Sequence, residues 1–142
     1  MMKNMNVKDR YNGIQTVFKN AGESACLFLS LLSIAEEYTN SSIDFIDAYN
    51  KCIQAGLIKE DFYCIDQEKI LLMLTGKQWK KTISTALPDK VPDNVFTIAK
   101  WYNKRTNFTH FRRRGFDTLS NSVTVKEGSI KEYYCYEVQE NK

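Results

Sequence analysis

Apolar and polar positions follow two different periods along this chain, and the change falls at Gly76. Before it, apolar residues recur every three or four positions; after it, they alternate or form short runs. Leu27, Phe28, Leu31, Leu32 and Ile34 predict a helix over about 24–38. It is apolar on more than one face and therefore largely buried, with Ser24 as N-cap and Glu36 and Glu37 where it meets water. Ser41-Ser42-Ile43-Asp44 has the form of a capping box, and Phe45, Ile46, Tyr49 and Ile53 carry a second helix to a stop at Gly56. Asp61 to Ile65 reads as a short extended piece. A third helix spans about 66–74, capped by Asp66 and closed by Gly76.

Beyond Gly76, residues 77–85 alternate weakly, with Trp79 and Ile83 as the inward positions. Residues 87–94 hold both prolines and form a connector. Strands are predicted over 95–102, 107–112 and 116–119, with a last hairpin of 123–125 and 130–138 around Lys126-Glu127-Gly128. Helices first and strands later, with no βαβ alternation, predict an α+β fold in which N-terminal helices pack on a C-terminal antiparallel sheet. Residues 1–12 read as a flexible leader, 13–18 as a short strand or turn, and 13–142 as one domain.

The 142 residues suffice to bury roughly two thirds of the unfolded surface. Hydrophobic (43%) and charged (26%) contents are ordinary for a globular chain, while 13% aromatic residues suit strands and a solid core. A net charge of +3 does not by itself imply a nucleic-acid partner. No apolar run approaches the ~20 residues that cross a bilayer, and the first ten residues lack the apolar stretch of a secretory signal. A cytoplasmic protein with no membrane partner is the expectation. Cys26, Cys52, Cys64 and Cys135 include no CxxC pair, and a single histidine completes no Cys/His zinc site, so neither metal nor cofactor is expected. Cys52, Cys64 and Cys135 read as small core residues.

The chemistry that stands out is a thiol. Cys26 lies at the front of the first helix, directly behind Gly22-Glu23-Ser24-Ala25. A cysteine nucleophile needs a helix N-terminus to favour thiolate, an imidazole to take its proton and a group to orient that imidazole. His110, the one histidine, and Asp117 supply the other two in the order Cys, His, Asp. A four-residue loop, Arg112-Arg113-Arg114-Gly115, would pair His110 with Asp117 across a hairpin, at Cβ separations of roughly 4.5–5.5 Å. The oxyanion donor besides the Cys26 amide is Asn20, six residues upstream, or Gln15. Each residue has a plainer reading: Cys26 as packing, His110 as a sheet residue, Asp117 as a turn residue, and Asn20 as part of an Asn-Ala-Gly turn.

In the segments Gly22-Glu23-Ser24-Ala25-Cys26-Leu27-Phe28-Leu29-Ser30-Leu31, Leu74-Thr75-Gly76-Lys77, His110-Phe111 and Asp117–Gly128, the chain resembles a family of uncharacterised bacterial and prophage proteins described as papain-like cysteine peptidases. The likeness runs from about residue 13 to 138 through short motifs. It implies a papain-like fold, with Cys26 as nucleophile, His110 as general base and Asp117 as the orienting acid. Asn20 stands where such enzymes usually carry an oxyanion glutamine.

Three functions follow. The first is a hydrolase or acyltransferase acting on a peptide, amide or ester through a thioester on Cys26. The second is a catalytically silent binding protein on the same scaffold, favoured by Asn20 and by Glu23 beside the thiol. The third is nucleic-acid binding through Arg112, Arg113 and Arg114, with Lys104, Arg105, Phe108, Phe111 and Phe116 nearby. The same arginines could instead select an acidic substrate at the rim of the thiol site.

Overall fold

The computed structural model describes residues 23–60, 62–106, 108–113 and 128–139, and within them three helices precede a four-stranded sheet. Helix α1 (Glu23–Thr39) buries Leu27, Phe28, Leu31, Leu32 and Ile34, as its doubly apolar pattern requires. It already includes Ser24, so Ser24 is not its N-cap. Helix α2 (Phe45–Gln54) likewise departs from the expected capping box, because Asp44 is its N-cap and accepts from the Asp47 amide at 2.8 Å. Ser41 turns back to the Thr39 hydroxyl (2.9 Å), and the Ile43 amide donates to Glu36 Oε2 at 2.8 Å, so residues 41–43 join α1 to α2 instead of capping. Helix α3 (Gln67–Thr75) matches its signals at both ends. Asp66 accepts from the Lys69 amide at 3.1 Å, and Gly76 closes the helix at φ 75°, the left-handed conformation that glycine adopts without strain.

Between α2 and α3 the predicted extended piece is a tight loop closed by a bridge between Ile58 and Cys64. Phe62 takes φ 69° there, unfavourable for a bulky residue. Its side chain is 1% exposed and lies against Phe28, Phe45 and Tyr49, so the burial of a large ring offsets the backbone cost.

The sheet is antiparallel throughout, in the order β1 (Gln78–Ser84), β4 (Ser129–Gln139), β2 (Val95–Asn103), β3 (Phe108–Arg113). Registers such as Trp79↔Val138, Ile98↔Tyr134 and Lys100↔Phe111 fix which positions share a face. The core draws its sheet residues from one face only: Trp79, Phe96, Ile98, Phe111, Tyr134, Tyr136 and Val138 meet the helices there. Among the helices, α1 packs against β3 and α3, while α3 packs against β1. The Tyr136 hydroxyl donates to Gln67 of α3, and Trp79 Nε1 donates to Thr75 Oγ1 at 2.8 Å.

Two sheet expectations change. Ile83 falls on the helix-side face by register but is 57% exposed, because it sits at the far end of an edge strand, past the part that Trp79 carries into the core. Strand β4 also pairs with both β1 and β2, where a terminal hairpin with 123–125 was expected. Residues 123–125, the predicted strand 116–119, the leader 1–12 and the piece 13–18 lie outside the described residues.

Candidate functional site

Cys26 is the fourth residue of α1 and therefore sits in its first turn, as the thiol reading requires. It is 1% exposed and belongs to the core with Phe28 and Leu31. At that enclosure the sulfur is out of reach of a substrate carbonyl in this conformation. His110 is in β3, paired with Trp101, on the strand against which α1 packs. The side chains of His110, Arg112 and Arg113, and the whole of Gln15, Asn20, Asp117 and Arg114, lie outside the described residues.

Three other thiols are present. Burial pushes Cys52 up to about 11 from an ordinary 9.0. Cys64 goes up to about 12, through burial first and then the neighbouring Cys52, with Lys81 pulling the other way. Both fit the expected role of core residues. Cys135 does not, because it is half-buried on the sheet face turned away from the helices; burial still raises its thiol, and a hydrogen bond with Thr82 lowers it.

The loop expected at Arg112–Gly115 begins later than its residue types suggested. Pairing with β2 continues through Arg112↔Ala99 and Arg113↔Ile98, so both arginine positions are in the edge strand. At the other end of the β2–β3 hairpin, Asn103 is 2% exposed and its Oδ1 accepts from the amides of Arg105 (2.9 Å) and Thr106 (3.3 Å). This side-chain turn fixes the backbone that presents Lys104 and Arg105, both exposed. Residues 95–116 hold six of the 20 Lys and Arg and none of the 17 Asp and Glu, which leaves the rest of the chain net negative. Within this set, Lys100 lies 3.8 Å from Glu132 Oε2.

A second feature was missed by reading the strands singly. On the face of the sheet away from the helices, Trp101, Ile130 and Tyr133 come together across β2 and β4, through the pairs Trp101↔Ile130 and Ala99↔Tyr133. The register shifts between Lys100 and Trp101, which sets Ile130 opposite Trp101. Ile130 is 38% exposed, Trp101 and Tyr133 are half-buried, and Trp101 Nε1 has no partner among the described residues. None of the three belongs to the core cluster. The alternation of β2 carried this signal, but only pairing with β4 reveals that the three positions adjoin.

On the helix side, Lys81 lies 3.9 Å from the centre of the Tyr134 ring. Burial lowers the Lys81 amine, and Lys100 acts with it, against the raising influence of Glu132 and Glu68. Among the described residues no group of three His, Cys, Asp or Glu could hold a metal ion, and no helix is long and apolar enough to cross a membrane. Comparison with family models, with curated proteins and with solved structures finds no match to this chain.

Proposed function

We propose that the chain is a catalytically silent binding domain, with papain-like helices against an antiparallel sheet, that takes a phosphate-bearing polyanion along the β2–β3 hairpin. The observation that carries this reading is the segregation of charge: six cations and no carboxylate within residues 95–116, with Lys104 and Arg105 presented by a turn that Asn103 holds from inside. Silence is supported by the 1% exposure of Cys26 and by the alternation of β3, in which positions 109 and 111, not 110, share the helix-side face. Cys26, Cys52 and Cys64 are buried as thiols and not as disulfides, which suits a reducing cytoplasm.

The test is anisotropy of a labelled oligonucleotide against salt. Lys104→Glu with Arg105→Glu should weaken binding at least about tenfold at low salt and flatten the log–log salt slope by roughly 1.4–1.8. Unchanged affinity and slope would remove the hairpin from the binding surface.

One observation favours a second reading, the thiol hydrolase with Cys26, His110 and Asp117. Cys26 occupies the first turn of α1, and α1 packs against the strand that carries His110. Iodoacetamide separates the two readings. A silent core thiol should label no faster than Cys52 or Cys64 and more slowly than half-buried Cys135. Labelling of Cys26 about tenfold ahead of the others, at a rate that drops in His110→Ala, would establish an activated nucleophile instead.

A further inference from the structure

The sheet face turned away from the described helices extends the basic hairpin, and from that juxtaposition we infer that the polyanion is a single-stranded nucleic acid whose bases stack on Trp101 and Tyr133. This rests on the reading of the hairpin given above and specifies its ligand. The helices and the core occupy one side of the sheet, while the opposite side carries an indole, a phenol ring and the 38% exposed Ile130 in adjoining positions. A half-buried aromatic pair on an antiparallel sheet offers π-faces to any unpaired base, and duplex bases are already stacked on each other. Cations stand at the same end of the sheet. Lys104 and Arg105 form the β2–β3 turn, three and four residues beyond Trp101. Phosphates held by these cations would lie along the edge of the platform while bases reach inward over the rings.

The full chain is titrated with three probes: an oligothymidylate of about 16 nucleotides, a duplex of equal length, and heparin. Oligothymidylate should bind more tightly than the duplex and quench tryptophan emission. Trp101 must be the reporter, since Trp79, the other tryptophan, is 4% exposed within the core. Trp101→Ala and Tyr133→Ala should each weaken oligothymidylate binding roughly tenfold while leaving heparin binding unchanged, and Trp101→Phe, which keeps a ring, should recover most of the loss. If both alanine variants bind oligothymidylate like the parent while Lys104→Glu with Arg105→Glu still weakens it, the stacking platform is overturned and the hairpin stands. Duplex or heparin binding as tight as oligothymidylate, with no quench, also overturns it. If no probe binds, both readings fall.

Discussion

Phe28→Ala is expected to remove about 3–5 kcal/mol of folding free energy, the usual cost of emptying a large aromatic site. Phe28 is fully enclosed, edge-on to Phe45 at 5.8 Å and tilted against Phe62 at 5.9 Å. It therefore ties α1 both to α2 and to the loop that ends at the Ile58–Cys64 bridge. Phe62 holds its left-handed backbone at a cost that only packing offsets, and the cavity would loosen one of the three rings around it. A domain of this size is stable by only about 5–15 kcal/mol, so the variant should unfold at markedly lower urea. A loss below about 1 kcal/mol would show that the α1–α2 contact is not where the core gains its stability.

Alkali should have an effect of similar size. Cys52 and Cys64 bind their protons more tightly folded than unfolded, with folded values of about 11 and about 12 against an ordinary 9.0. The unfolded chain consequently loses these protons first as pH rises. The stability they confer is whole below about pH 9 and is lost as pH climbs through 9 toward 11–12. At about 1.4 kcal/mol per unit, Cys52 alone accounts for about 3 kcal/mol. Tyr134 and Tyr136, both raised chiefly by burial, push the same way at higher pH, whereas Lys81, lowered by burial, opposes them. Urea midpoints measured at about pH 8 and about pH 10.5 should therefore differ strongly, and Cys52→Ala should shrink the difference. A midpoint that stays level across that range would mean that the two thiols are open to water.

Local signals were the most legible. Asp66 and Gly76 declared both ends of α3 because their chemistry acts within one turn: a side chain caps an amide, and a glycine takes positive φ. Ser24 and Ser41 misled because an N-cap is defined by where the backbone becomes helical, and residues such as Glu36 of the preceding helix decide that for α2. The order of the strands was not legible at all. Nothing within residues 129–139 states that they will pair with 78–84 and 95–102 together, since that depends on partners about 30 to 60 residues away. The same holds for the candidate surface. Arg112 and Arg113 were visible as a charge run, but their place in an edge strand, and the meeting of Trp101 with Ile130 and Tyr133, follow only from register. Cys26 was legible as the front of a helix, and its enclosure was not.

The sheet order also bears on how the protein is made. Translation delivers β1, β2 and β3 before β4 exists, and β4 is the strand that lies between β1 and β2. A nascent chain halted ahead of residue 129 therefore holds two unjoined sheet fragments, each with an open flank where β4 belongs. On the ribosome, folding of the sheet must wait for β4, and until then those flanks are surfaces for a chaperone to guard.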